Sequence, residues 1–145
     1  MGGADLAVVR RLVAADRGLA VVSVARPDGR VQSSVVNAGV LDHPISGEPV
    51  VGLVAPGDAR KVQLIRDNGR ACVVFRSGWE WVAVEGPAQV IGPDDPVDAV
   101  DVPTLLRAVF TGAGGTHDDW DTFDRVMADE RRAAVLIEPS RITAN

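Results

Sequence analysis

The 145-residue sequence is poor in the side chains that most enzymes use for direct chemistry, with one cysteine, two histidines and no tyrosine. The single cysteine, Cys72, excludes an internal disulfide and a thiolate metal cluster. Its apolar neighbours predict a small buried residue rather than a reactive thiol. Two histidines cannot supply a histidine-rich metal site, and no zinc-protease, CxxC or EF-hand motif is present. We therefore expect no metal site.

Several familiar catalytic motifs are also missing. The sequence has no GxSxG nucleophile elbow, no GxxxxGK[ST] phosphate loop and no GxGxxG after a strand. The glycine-rich run Gly112–Gly115 has no lysine after it and lies between acidic segments, which indicates a linker. These absences favour a protein whose chemistry belongs to a bound cofactor.

Long apolar runs are absent as well. No stretch approaches the roughly 20 apolar residues that a membrane span needs. The N-terminal segment mixes acids and arginines with its apolar residues, unlike a signal peptide. We therefore expect a cytoplasmic protein with no membrane partner, folded as one domain over residues 1–145. The net charge of −5 argues against nucleic acid as a partner.

The charge is distributed unevenly along the chain. Segment 60–76 holds five bases and one acid, whereas segment 94–130 holds ten acids and only two arginines. Two interpretations of the basic segment stay open: it binds a small anion, or it is the solvated face of a helix. We interpret the acidic segment as a solvated flank.

The hydrophobic pattern predicts a mainly β chain, because apolar, β-branched runs alternate with turn residues. The predicted strands span 19–25, 30–41, 50–55, 70–76, 79–91 and 133–142. The predicted helices span 5–16, 59–67, 97–111 and 118–132. Asp5 and Asp58 are the expected N-caps of the first two helices, and Gly86–Pro87 predicts a bulge or bend in the fifth strand. Hairpin-length connections leave no room for crossover helices, so we predict an antiparallel β-barrel with flanking helices.

The segment around Arg60 and Lys61 is the most informative for function. Here a strand ends in Pro56–Gly57 and a helix begins, which leaves free backbone N–H groups at the helix N-terminus. Two cations in the first turn oppose the helix dipole, so their presence there indicates that they neutralise an anion. We interpret them as phosphate ligands, with two solvated bases as the alternative.

Two other groups of residues are candidates for a planar ligand. Gln32, Ser33, Ser34 and Asn37 place hydroxyls and amides on the second strand, where they either bind a heterocycle or form an exposed strand face. Trp79 and Trp81 lie two residues apart on one predicted strand and form either an aromatic wall or a core pair. The segment 117–120 predicts a helix cap with a hydrophobic staple.

Taken in order, several short motifs resemble the pyridoxamine 5′-phosphate oxidase-like superfamily, and within it the actinobacterial flavin/deazaflavin oxidoreductases of type B. The motifs are Asp28-Gly29-Arg30…Gln32, Leu64…Arg66-Asp67, Ala83-Val84-Glu85-Gly86…Ala88-Gln89 and His117…Asp119-Trp120-Asp121…Met127. The resemblance covers nearly the whole chain. It implies a six-stranded split β-barrel that forms a homodimer with cofactor grooves at the dimer interface.

The resemblance also implies a function and a set of residues. Its members transfer a hydride from reduced coenzyme F420 to small conjugated organic substrates, and FMN is the alternative cofactor. Carried onto this sequence, the cofactor-binding residues are Arg60 and Lys61 at the phosphate, Gln32, Ser33, Ser34, Asn37, Val54 and Ala55 at the ring, and Trp79 and Trp81 from the partner subunit. Arg60 stands where the family has its usual lysine, which makes it the expected principal phosphate contact.

Two points stay open at this level. No side chain is an obvious general acid, so the substrate's proton comes from solvent or from a polar group near the ring. A protein that binds F420 or a flavin without catalysing a reaction is the third possibility, beside the F420-dependent and FMN-dependent enzymes.

Overall fold

The structure is a computed structural model that describes residues 5–145. It contains seven strands and four helices within that range. The strands are β1 Leu19–Ala25, β2 Val31–Asp42, β3 Pro49–Pro56, β4 Arg70–Ser77, β5 Glu80–Ile91, β6 Arg132–Ile137 and β7 Arg141–Ala144. The helices are α1 Leu6–Asp16, α2 Arg60–Asn68, α3 Val102–Gly112 and α4 Trp120–Asp129.

Six of the strands close into an antiparallel barrel, which confirms the predicted fold class. The strand order is β4-β1-β2-β3-β6-β5, and β5 pairs back onto β4 to complete the circle. β7 adds to the free edge of β5 beside that pair. Every strand pairing is antiparallel, as the hairpin-length connections require.

Two separate hydrophobic clusters stabilise this arrangement. The larger fills the barrel interior and is built around fully buried side chains such as Phe75, Leu53 and Val22. The smaller lies outside the barrel, where α3 and α4 pack their apolar faces, including Leu106 and Phe123, on the outer side of β3 and β6. Burial of each such large side chain contributes about 1.5–3 kcal/mol to folding.

β5 changes partner at the predicted interruption. Its first part pairs with β4 as far as Pro87, and from Ala88 it pairs with β6. A Cβ on Gly86 would lie 2.0 Å from the carbonyl oxygen of Glu138, so only glycine allows the chain to approach this closely. The Gly86–Pro87 pair therefore marks the junction between the two halves of the barrel.

The structure corrects several predicted element bounds. The predicted last strand, 133–142, is two strands, because Glu138–Ser140 leave the ladder of β6 before β7 begins. The third predicted helix begins at residue 102 rather than 97, since Ala99 has a φ of 68° that no helix accepts. The fourth runs from 120 to 129, inside its predicted span.

The helix caps agree with the prediction at α1 and differ from it at α2. Asp5 caps α1 as predicted, through a bond from the N–H of Ala7 at 2.9 Å. Asp58 does not cap α2, because Ala59 occupies the N-cap position and no side chain accepts a bond there. Asp101 and Asp119 cap α3 and α4 by accepting bonds from Thr104 and Thr122.

Cys72 lies on the outer face of β4 and is half-buried, less than the sequence predicts. Burial and, secondarily, the nearby Glu85 carboxylate raise the pKa of its thiol. The thiol is therefore protonated at neutral pH, which agrees with the predicted unreactive side chain.

Candidate functional site: a cleft where two strands diverge

The most prominent cleft follows from the way β2 divides its pairing between two partners. Residues 31–37 of β2 pair with β1, and residues 38–42 pair with β3. The last pair with β3 joins Ala38 and Leu53, after which β3 continues to Pro56 paired only with β6. Two strand edges therefore diverge, and in the described chain no strand lies between them. Backbone N–H and C=O groups along such edges can bond a polar ligand.

A cleft of about 860 Å³ occupies this wedge. The barrel wall is formed by β2, β3, the start of β6, the connection between α1 and β1, and the first turn of α2. The opposite wall is formed by α3, α4 and their connection. The lining residues are Arg17, Val35, Val36, Asn37, Val54, Ala55, Pro56, Lys61, Val109, Phe110, Ala113, Gly114, Gly115, Thr116, Phe123, Met127 and Arg132. Its size is at the upper end of the range for small-molecule sites, about 300–1,000 Å³.

Aromatic side chains hold the helical wall together. The rings of Phe110 and Phe123 lie 5.0 Å apart between centroids, and His117 and Trp120 pack around them. The guanidinium of Arg107 lies 5.3 Å from the Trp120 ring and forms a two-pronged ion pair with Asp124. This pairing lowers the pKa of the Asp124 carboxyl. The wall is thus apolar towards the cleft and cross-linked by charge on its outer side.

Two glycines let this wall approach the barrel. A Cβ on Gly39 of β2 would lie 2.0 Å from the carbonyl oxygen of Gly112, and a Cβ on Gly112 would lie 2.7 Å from that of Val40. Backbone therefore packs directly on backbone at the end of α3. This contact places the connection 113–116 at the rim of the cleft.

The charged residues that line the cleft are all positive within residues 5–145. The three charged residues that line it are Arg17, Lys61 and Arg132, and no carboxylate joins them. The ammonium of Lys61 donates to the hydroxyl of Ser34 at 3.0 Å. Arg132 pairs with Glu130 at 3.1 Å, outside the lining. In a protein of net charge −5, this local excess favours an anionic ligand.

A scan of the sequence against protein-family models and a search of curated proteins find no match. Solved structures do match over almost the whole chain. A conserved hypothetical protein from Mycobacterium tuberculosis superposes with a TM-score of 0.70 at 19% identity, covering 97% of this chain and 83% of its own. A pyridoxamine 5′-phosphate oxidase-related, FMN-binding protein from Nostoc punctiforme gives 0.61 at 11%, covering 95% and 79%. A protein described as an F420 reductase gives 0.60 at 12%, covering 92% and 94%.

The chain has the split-barrel fold. Identities of 11–19% establish the fold and nothing finer.

Several predicted site residues meet at the cleft of this split barrel. Those that line it are Asn37, Val54, Ala55 and Lys61. Ser34 adjoins the cleft through its bond from Lys61. Asn37 also fixes the geometry of the rim, because its amide nitrogen donates to the backbone carbonyl of Arg17 at 3.0 Å.

Other predicted residues lie elsewhere. Gln32 accepts a bond from Arg26 at 2.5 Å, beyond the end of the cleft. Ser33 faces outward and shares a hydrogen bond of 2.8 Å with Ser23 on β1. Arg60 is exposed at the start of α2 and is not part of the lining, whereas Lys61 is.

One other base of the basic segment has a structural role. Arg66 forms a two-pronged ion pair with Asp95 and also donates to the carbonyl oxygen of Gly57 at 2.8 Å. Arg131 pairs with Asp94, and its carbonyl oxygen accepts from the N–H of Gly57 at 3.0 Å. These bonds fix the turn between β3 and α2, which positions Lys61.

The two tryptophans do not reach the cleft of their own chain. Trp79 lies in the turn before β5 rather than on the strand, and 93% of its surface is exposed. Trp81 lies on β5, partly buried. The Asn145 side chain braces both, donating to the Trp79 carbonyl at 2.7 Å and accepting from the Trp81 N–H at 3.0 Å.

Sequence reasoning missed much of the helical wall. Phe110, Phe123 and Met127 belong to segments interpreted as a solvated acidic flank, and Gly114 and Gly115 to a run interpreted as a linker. The signal was present in the apolar faces of α3 and α4, which needed a surface to cover. No local sequence pattern indicated that Arg17 and Arg132 belong to the site.

None of the helices between residues 5 and 145 is both long and apolar enough to cross a membrane. No group of three or more histidine, cysteine, aspartate or glutamate side chains in that range is placed to hold a metal ion.

Proposed function

We propose that the cleft binds a flavin or deazaflavin cofactor, with coenzyme F420 as the first candidate and FMN as the alternative. The protein would then be an oxidoreductase that reduces a small conjugated organic substrate. The carrying observation is the cleft itself, which has apolar walls, positive charges, no lining carboxylate within the described residues and two open strand edges. A protein described as an F420 reductase and one described as FMN-binding share the split-barrel fold, which supports this proposal.

The residues present fit such a cofactor. Lys61 is the natural phosphate ligand, because Ser34 holds its ammonium at the cleft and no carboxylate neutralises it within residues 5–145. Val54 and Ala55 offer an apolar surface for one side of a planar ring. The unpaired edges of β2 and β3 offer backbone donors and acceptors for its polar atoms.

When bound, the cofactor supplies the hydride chemistry. The chain's own part is to bind, orient and exclude water, for which the wall around Phe110 and Phe123 is suited. No carboxylate, histidine or cysteine among the described residues lines the cleft. The substrate's proton therefore comes from solvent or from a polar group near the ring, and no catalytic side chain is assigned.

The proposal includes a homodimer. On the outer face of the barrel, Val35, Val21, Val74 and Ala83 stand side by side across four neighbouring strands. Val35 is 66% exposed and Val21 40% exposed. An apolar row of this kind suits an interface with a second copy, which would also cover Trp79 and bring it towards the partner's cofactor.

Cofactor titration of the purified protein tests the proposal. F420 and FMN are titrated separately, with fluorescence as the readout, into wild type, Lys61→Ala, Lys61→Arg and Arg60→Ala. Loss of a charged phosphate contact costs about 1.5–3 kcal/mol, so Lys61→Ala should bind roughly 10- to 150-fold more weakly. Lys61→Arg should retain most of the affinity, and the exposed Arg60 should contribute little.

The same titration, together with a turnover assay, separates the alternatives. Preferential binding of FMN over F420 would make the protein a flavin enzyme. Tight binding without turnover across a panel of enones and quinones would identify a non-catalytic binder. Absence of binding for both cofactors at millimolar concentration, or unchanged affinity in Lys61→Ala, would refute the site.

A further inference from the structure

Arg17 occupies a backbone conformation that its side chain disfavours. It is the C-cap of α1 with a φ of 54°, in the left-handed region, and Gly18 follows at 72°. A residue with a Cβ pays about 1–2 kcal/mol in this conformation, so glycine or asparagine is usual at this position. Strained residues are concentrated at functional sites, which makes the choice of arginine informative.

The surrounding contacts fix Arg17 at one end of the cleft. Its carbonyl oxygen accepts from Asn37, and the next carbonyl, of Gly18, accepts from the N–H of Ala38 at 2.8 Å. A Cβ on Gly114 would lie 3.7 Å from the Cα of Arg17, so the connection after α3 passes directly beside it. Arg17 is exposed and belongs to the lining of the cleft, and no carboxylate within residues 5–145 forms an ion pair with it.

The other cations lie at the opposite end. Lys61 contacts Ser34, whereas Arg17 is bonded to Asn37, three residues farther along β2. At the rise of a β-strand, three residues correspond to roughly 10 Å. Arg132 belongs to the Lys61 end, because it pairs with Pro56 at the end of β3. Lys61 and Arg17 therefore enter the cleft from two separate places along β2.

This separation has a chemical consequence. Because the two cations enter the cleft from different places, they can contact two different anionic groups. The volume of about 860 Å³ is large enough for a second small molecule beside a ring with a phosphate tail. The apolar wall between the ends suits the conjugated part of such a molecule.

We propose that Arg17 binds an anionic group of the acceptor substrate, so that the substrates are small conjugated acids. The assignment of the Lys61 end to the cofactor phosphate rests on the function proposed above. An anionic group on a cofactor tail is the other source of the same chemistry, and the test distinguishes the two.

The test compares two probes of nearly equal shape, 2-naphthoate and the uncharged 2-naphthamide, by calorimetry. Both are titrated into the protein alone and into the protein saturated with whichever cofactor binds. The variants are Arg17→Asn, which removes the charge and accepts the left-handed backbone, and Arg17→Lys, which keeps the charge. The matched control is Arg10→Asn on the same helix, since Arg10 is exposed and lies outside the cleft.

Wild type should bind the carboxylate at least ten-fold more tightly than the amide. Arg17→Asn should lose roughly 10- to 100-fold for the carboxylate and nothing for the amide, the range expected for a charged hydrogen bond. Arg17→Lys should recover most of the loss, and Arg10→Asn should match wild type. Cofactor affinity should be unchanged in Arg17→Asn.

Two results would overturn the proposal. One is equal affinity of wild type for the two probes. The other is a loss of cofactor affinity in Arg17→Asn without a change for naphthoate, which would assign Arg17 to a cofactor tail. A charge effect at Arg17 in a protein that binds neither cofactor would support the anion site while refuting the proposed function.

Discussion

At the scale of single residues, the site depends on backbone contacts that only glycine permits. Gly39 and Gly112 allow α3 to end against β2, and this contact sets the distance between the two walls of the cleft. Neither glycine has an unusual φ, so their role is close approach and not conformational freedom. The contact is therefore sensitive to a single added methyl group.

Replacement of Gly39 by alanine should destabilise the protein by about 2–3 kcal/mol, because the new Cβ would lie 2.0 Å from the Gly112 carbonyl oxygen. Urea unfolding followed by circular dichroism measures the change. Gly47→Ala is the control: its φ is 74° but no atom lies within 4 Å, so it should cost only the backbone term of about 1 kcal/mol. A loss at Gly39 no greater than at Gly47 would contradict the close-contact explanation.

The residue scale also shows where sequence reasoning fails. A count of charges along segment 60–76 cannot reveal that Asp95, far away in sequence, neutralises Arg66. It cannot reveal that Arg60 lies outside the cleft lining while its neighbour Lys61 belongs to it. The place of Arg17 at the cleft could not be predicted for the same reason, because it depends on which strand the end of its helix meets.

At the scale of elements, local signals were reliable where turn chemistry is strong. β1 has the predicted bounds, and Gly69 ends α2 in the left-handed conformation as expected after Asn68. Bounds failed where tertiary contacts decide them, as in the split of the last strand around Glu138–Ser140. The apolar faces of α3 and α4 were visible in the sequence, but the surface they cover was not.

The caps of α3 and α4 predict a defined response to acid. Hydrogen bonds from the side chain and then the backbone of Thr104 lower the pKa of Asp101 below its ordinary 3.8, and Thr122 acts likewise on Asp119. A carboxyl with a lowered pKa stabilises the fold fully above its unfolded pKa. That contribution is lost as the pH falls through the lowered value.

Urea unfolding between pH 6 and pH 2.5 measures this effect. The double variant Asp101→Asn, Asp119→Asn keeps a capping oxygen on each helix but removes the titration, so its free energy of unfolding should fall less steeply with acid than that of wild type. Asp58→Asn serves as the control, because its side chain forms no hydrogen bond within the described residues. Identical acid profiles for the double variant and wild type would exclude the caps as a source of acid sensitivity.

At the scale of the whole molecule, barrel closure leaves one outer face covered and another bare. α3 and α4 cover the outer side of β3 and β6, while the outer side of β1, β2 and β4 carries the row that includes Val35 and Val21. The fold class followed from hairpin spacing, but the bare face did not, since it depends on which strands the helices leave uncovered.

If this bare face joins two copies, a charge placed in it should separate them. Val35→Asp should shift the molecular mass measured by light scattering from dimer towards monomer at micromolar concentration, because burial of an unpaired carboxylate costs several kcal/mol. Ile45→Asp, an exposed site 58% accessible on the β2–β3 loop, should leave the mass unchanged. A wild-type protein that is already monomeric would refute the dimer.

The two hydrophobic clusters have a consequence for how such a protein diversifies. Val36 and Ala55 of the barrel wall belong to the interior cluster, whereas Val109, Phe110 and Phe123 belong to the outer one together with Val54. If the cleft binds a cofactor as proposed, substitutions in the helical wall would reshape the space offered to a substrate while most of the barrel kept its own support. Acceptor preference and cofactor retention would then vary separately in one small chain, and laboratory evolution of new acceptors would best begin on α3 and α4.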